Sequence, residues 1–164
     1  MWRLIEPTKT NVLQMKIVIQ KVNHASVVIN GEKVAAISKG LLIFLGITIN
    51  DTQEDIDYLT NKIVNLRIFE DETGTMNHSV ITTNGDALVV SQFTLLASTK
   101  RGNRPSYIKA ARPDVAIPLY NTFIATLESV LKKPIQSGVF GADMKVQLLN
   151  DGPVTIVMDS KNKE

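Results

Sequence analysis

The chain has no cysteine, and that absence removes disulfides, thiolate catalysis and cysteine-based zinc sites together. It fits a reducing compartment, and a cytoplasmic protein is expected. Histidine is scarce: His24 and His78 are the only two. A multi-histidine metal site is not expected, nor is any metal or cofactor. No run is long and apolar enough to cross a bilayer as a helix. The best candidate, Gly40 to Ile49, has the length of one buried strand. The opening MWRLIEPTKTNVLQ has no apolar core followed by a small-residue cleavage site, so it does not read as a signal peptide. A G-x-x-x-x-G-K-[ST] phosphate loop is missing, and so is the G-x-S-x-G elbow of serine hydrolases. No spacing assembles Ser91 with His24 or His78 into a triad. The net charge of +2 is too small to imply nucleic acid by itself.

What is present describes one globular domain. The 164 residues suit a single unit, with 44% hydrophobic and 21% charged residues. Residues 1–14 read as an extension outside the fold: an upstream start, a cloning remnant or a loose arm, unless Trp2, Leu4 and Ile5 find something to pack against. The domain proper is expected over 15–159, followed by a polar, frayed tail at 160–164. No internal repeat or linker interrupts it.

Lys16 to Val22 alternates, placing Ile17, Ile19 and Lys21 on one face. Ala25 to Ile29 is a second short strand, and Asn30-Gly31 is a hairpin turn because both positions tolerate φ > 0. Val34 to Ile37 pairs back. Leu41 to Ile47 is continuously apolar, as in a central strand covered on both faces. A helix follows, capped by Asp51 or Thr52, with Ile56, Leu59, Ile63 and Leu66 as its apolar stripe. Asp71 to Gly74 is a turn, and Ala87 to Val90 a buried strand. A second helix is expected from Pro113 to Leu131, burying Val115, Leu119, Phe123, Leu127 and Val130. Pro118 should fall in its first turn or kink it. Met144, Val146 and Leu148 alternate in a strand; Asn150 to Pro153 breaks the pattern, and Val154 to Met158 resumes it. The order predicts a mixed α/β domain with two helices on a substantial sheet.

Four segments could carry chemistry. Ser91-Gln92-Phe93-Thr94-Leu95 puts polar groups at the end of a buried strand, where α/β sheets place ligands. Periodicity alone favours a polar strand end with satisfied hydroxyls. Asn150-Asp151-Gly152-Pro153-Val154-Thr155 is a turn or bulge whose carbonyls could face outward, since proline donates nothing to a ladder; an ordinary turn is the plain alternative. Lys100 to Arg112 holds five cations, an aromatic and no acid. Such a loop can track phosphates and stack a base, or simply be solvated. Gly138-Val139-Phe140-Gly141-Ala142-Asp143-Met144 points to close backbone approach around a phenylalanine, with Met144 lining a pocket or filling the core.

Taken together these segments resemble the D-aminoacyl-tRNA deacylase family, from Met15 to about Asp159. SQFTL at 91–95 and NDGPVT at 150–155 are the most diagnostic. GVFGADM at 138–144, KRGNRPSY at 100–107 and GLLIFLGI at 40–47 support them. Tyr107 stands where phenylalanine is expected, which keeps the ring. The resemblance implies a barrel-like mixed sheet with two helices on one side, and a homodimer with active sites at the subunit interface. It implies hydrolysis of the ester of D-aminoacyl-tRNA, and of mischarged glycyl-tRNA. Gly152 and Pro153 would form a Gly-cisPro motif that rejects L-aminoacyl esters, facing a wall made of Ser91 to Thr94. Gln92, Phe93 and Thr94 are the catalytic candidates. Ser91, Gly152, Pro153, Phe140 and Met144 are the substrate-binding candidates, and Lys100, Arg101 and Arg104 would meet tRNA. Two mechanisms compete: attack by the Thr94 hydroxyl, or water assisted by the tRNA ribose hydroxyl with backbone N–H groups at Phe93 and Thr94 holding the oxyanion. The second is favoured, because no base accompanies Thr94 in its segment. Two other classes stay open: a dimeric nucleic-acid-binding module without catalysis, and a hydrolase of some other small ester.

Overall fold

In β1 (Lys16–Ile29) the alternation of Ile17, Ile19 and Lys21 gives way to Val22, Ala25 and Val27, so the strand changes its buried face midway. The cause is a pair of register shifts against β8 (Lys145–Asp159), between Gln20 and Val22 and between Val22 and His24. The two short strands expected here are thus one long bulged strand, and the two expected at 144–158 are likewise one. Bulges bend a strand and re-aim its side chains. The computed structural model describes residues 12–163. The possible anchors Trp2, Leu4 and Ile5, with most of the 1–14 extension, lie outside the described residues.

Asn30 and Gly31 turn the chain at φ 50° and 79° into β2 (Glu32–Ile37), which pairs back on β1. β3 (Gly40–Gly46) lies antiparallel to the first half of β1. Helix α1 (Gln53–Asn65) begins at Thr52, whose N–H donates to the Asp55 carboxylate at 2.8 Å. Asp51 does not cap the helix. Its carboxylate instead accepts from the Thr48 N–H at 2.6 Å and the Thr48 hydroxyl at 2.9 Å, and burial raises its pKa. A small hairpin follows, β4 (Phe69–Glu70) and β5 (Met76–His78), around the expected turn. β6 (Asp86–Ser91) pairs parallel to β3, and β7 (Gln136–Ser137) parallel to β6. Parallel neighbours need a crossover; α1 and α2 (Pro113–Leu131) lie in those connections, packing on one another and on one face of the sheet.

α2 has the expected bounds but a shifted face. Ala116, Tyr120, Phe123, Leu127 and Leu131 are buried, while Val115, Leu119 and Val130 are only partly so. A strict four-residue spacing drifts by about 120° from 115 to 127, whereas 116 to 127 drifts by about 20°. Pro118 lies exposed in the second turn of one continuous helix.

The sheet runs β2-β1-β3-β6-β7, with β8 on β1. One core lies between sheet and helices and includes Ile17, Ile19, Leu41, Ile43, Ile56 and Phe123. A second joins Val22, Ala25 and Val27 of β1 with Ala35 and Ile37 of β2 and Leu88 and Val90 of β6. Strands apart in the sheet order meet there, so the sheet curls into a nearly closed barrel. The tail expected to fray is tied down at its start. Ser160 is buried and donates its N–H to the Met15 carbonyl at 3.0 Å, and Lys161 pairs with Asp55 at 3.8 Å.

Candidate active site

Ser91 ends β6 beside Leu45 of β3, and the next residue keeps the ladder for one more bond: the Gln92 N–H donates to the Leu45 carbonyl at 2.8 Å. The chain then coils into a short 3-10 turn, Phe93–Leu96. It packs so closely on β3 that a Cβ on Gly46 would stand 3.1 Å from the Gln92 carbonyl. Leu95 and Ala97 donate back to the Gln92 and Thr94 carbonyls. Phe93 and Thr94 open the turn, so their own N–H groups have no carbonyl one turn earlier to bond. Both residues are exposed. The Gln92 side-chain amide donates to the Thr94 hydroxyl.

A cavity of about 60 Å³ opens beside this turn, lined by Leu45, Ile47, Ser91, Phe93, Ala111 and Phe140 among others. The structure therefore brings Ser91, Phe93 and Phe140 together from two segments distant in sequence. Phe140 is steadied by the buried ring of Tyr120, 5.7 Å away edge-on. Burial raises the Tyr120 pKa, and its hydroxyl donates to the Val89 carbonyl at 3.3 Å. Met144 packs instead against the second core, its thioether filling the space where a Cβ on Gly138 would stand.

Gly152 and Pro153 do not line this cavity. Residues 151–154 bulge from β8 opposite Lys21, with the Gly152-Pro153 bond cis and both residues exposed. From Ser91 the ladder crosses Leu45 and Ile17 before reaching β8, three strand spacings or about 14 Å. The bulge lies a further four residues along β1, about 13 Å. Along the sheet, the bulge and the cavity are thus several strand spacings apart.

Two side chains to which the sequence pattern gave no role hold the bulge. Asn150 donates to Gln20 Oε1 at 3.0 Å, to the Val154 carbonyl at 3.1 Å and to Thr155 Oγ1 at 3.2 Å, and accepts from the Val154 N–H at 2.8 Å. Lys21 is 3% exposed, with its ammonium 3.9 Å from Asp151 Oδ2 and 5.7 Å from the centre of the Phe69 ring. The available signal was a lysine in register with Ile17 and Ile19 on the helix-facing side.

The basic loop is anchored at both ends. Ser98 and Ser106 exchange backbone bonds at 2.8 and 2.9 Å, and the Ala111 N–H donates to the Ile47 carbonyl at 2.8 Å. Lys100, Arg101 and Arg104 sit exposed between the two serines.

The family model described as D-Tyr-tRNA(Tyr) deacylase matches residues 18–159. A D-aminoacyl-tRNA deacylase of Flavobacterium johnsoniae is 64% identical over 150 residues, 92% of this chain and 100% of that one. Its namesake in Bacteroides thetaiotaomicron is 62% identical over the same shares. Among solved structures, a c-Myc DNA unwinding element binding protein superposes with a TM-score of 0.83 at 41% identity, covering 87% of this chain and 97% of its own. A probable eukaryotic D-amino acid tRNA deacylase shares the fold at 16% identity and a TM-score of 0.76, covering 89% and 99%.

Proposed function

The chain belongs to the D-Tyr-tRNA(Tyr) deacylase family, and from that premise we propose that it hydrolyses the ester of D-aminoacyl-tRNA at a site completed by a second copy of itself. The observation that carries this reading is the separation between the cavity beside Phe93 and the Gly152-Pro153 bulge. Each is exposed and incomplete alone, and a two-fold dimer lets each copy's bulge close the other's cavity.

The chemistry follows from what the two parts offer. The amino acid side chain points outward, away from the cavity, and its identity goes unread. The carbonyls of Gly152 and Pro153 accept from the α-amino group and occupy the space an L side chain needs. Rejection of L esters is then a steric clash. Glycine has no side chain to clash, so glycyl-tRNA is a second substrate. Ser91 and Phe140 form the opposite wall, and Gln92 orients the substrate.

Backbone N–H groups of Phe93 and Thr94 receive the oxyanion as water attacks the ester. The tRNA ribose hydroxyl assists that water. This route is favoured over attack by the Thr94 hydroxyl, because the side chain beside that hydroxyl is the neutral Gln92 amide and not a general base. No metal takes part in the proposed steps. Lys100, Arg101 and Arg104 meet tRNA phosphates, and the protein works in the cytoplasm.

The test is hydrolysis of D-tyrosyl-tRNA beside L-tyrosyl-tRNA with a chelator present. Loss of the D ester alone is expected. Loss of both would overturn the role of Gly152-Pro153. Loss of neither, with tRNA bound, would favour a binding module without catalysis, the second reading that the basic loop and the name of the 41% identical structure support.

A further inference from the structure

Apolar side chains stand in water along one strip beside the cavity. Phe93 at its mouth is 56% exposed, Tyr107 38% and Ile108 90%. The Phe93 and Tyr107 rings meet edge-on, 5.0 Å between centres. Ile108 continues the strip outward, in the turn that the Ala110 N–H closes on the Tyr107 carbonyl. Around it are Lys100, Arg101, Arg104, Lys109 and Arg112, none of which has an ion-pair partner among the described residues.

We propose that Phe93, Tyr107 and Ile108 form a stacking platform for the unpaired nucleotides that precede the tRNA's terminal residue. This rests on the editing reading above, which brings the 3′ end of an RNA to the mouth of the cavity. Two aromatic rings extended by an exposed aliphatic side chain and interleaved with cations suit a single strand, whose bases present faces while its phosphates need positive charge. A paired stem has no free base faces to offer. Packing of this strip against the same strip of a second copy fits poorly, because it would bring five uncompensated cations against five more, whereas the dimer proposed above sets the bulge against the cavity. The platform also supplies a ruler. It engages nucleotides that an isolated aminoacyl-nucleoside lacks, so binding there separates tRNA from smaller esters.

The experiment measures binding of uncharged acceptor-stem RNA hairpins carrying either one or four unpaired 3′ nucleotides, by fluorescence anisotropy at fixed salt. For the unaltered protein the longer tail should bind about tenfold tighter, the value of one stacked base. In Ile108→Ser that advantage should shrink to less than about twofold, and in Ile108→Phe it should widen. Equal affinity for both hairpins in the unaltered protein would overturn the platform. So would an Ile108→Ser loss equal for both tails, or its conversion of dimer to monomer in light scattering, which would assign the strip to a protein interface. If the protein fails to hydrolyse D-tyrosyl-tRNA, the editing reading falls while the tail preference still decides the platform.

Discussion

The turn at Phe93 and the bulge at Gly152 are built differently. Backbone bonds hold the turn: Gln92 to Leu45 at its entry, Leu95 and Ala97 within it. The bulge lacks regular ladder pairing over 151–154, and side chains hold it instead, Asn150 across its neck and Lys21 beneath. A backbone-built element tolerates side-chain substitution, whereas a side-chain-built element fails when one residue is changed. The half of the site said to stabilise the oxyanion should thus be robust, and the half said to read chirality fragile.

Gly152→Ala should have the largest effect. Its new Cβ would lie 2.7 Å from the Val154 backbone nitrogen, so the bulge must shift. D-tyrosyl-tRNA hydrolysis should fall about a hundredfold, the usual result of misplacing a site by an ångström. Unchanged rate and unchanged D/L ratio would remove the bulge from the site. Lys21→Met comes next. Thermal stability should change little, since the substitution removes a buried charge and the remaining carboxylate of Asp151 is 38% exposed to water. Single-turnover hydrolysis should nonetheless fall about tenfold as Asp151 loses its tether, with Lys21→Arg restoring most of it. A variant that unfolds would make Lys21 structural only.

Neutralising Lys100, Arg101 and Arg104 together should raise KM about tenfold and leave kcat in place. The salt dependence of binding should flatten by a slope of about 2, at roughly 0.7 for each single-strand phosphate left without its cation. An unchanged slope would mean that the loop is merely solvated. Thr94→Ala should have the smallest effect, within about threefold, where a missing nucleophile costs about 10⁴-fold or more. Complete loss with intact tRNA binding would make Thr94 the nucleophile.

The two regions were also unequally legible. The turn follows a buried strand, and a polar group at such a strand end is visible as a break in an apolar run. The bulge could be seen at Gly152-Pro153, but its supports could not. Asn150 and Lys21 come together only because β1 and β8 pair, 130 residues apart for Asn150 and Gln20. The same blindness split both long strands, since an interrupted alternation looks identical whether a strand ends or bulges. Helix starts were legible to within a residue, at Asp51 or Thr52 and at Pro113, while the buried face of α2 was right at Phe123 and Leu127 and misjudged by one position towards both ends. The separation of bulge from cavity was beyond reach, because it depends on strand order.

That separation is best tested by mixing two inactive variants. Gly152→Ala damages the bulge, and Ala111→Phe fills the cavity. If each copy's bulge completes its partner's cavity, mixed dimers regain one intact site. Refolding the two together should then restore about a quarter of the unaltered activity, because half the dimers are mixed and each has one working site of two. No recovery, with mixed dimers shown to form, would contradict a site shared between two copies.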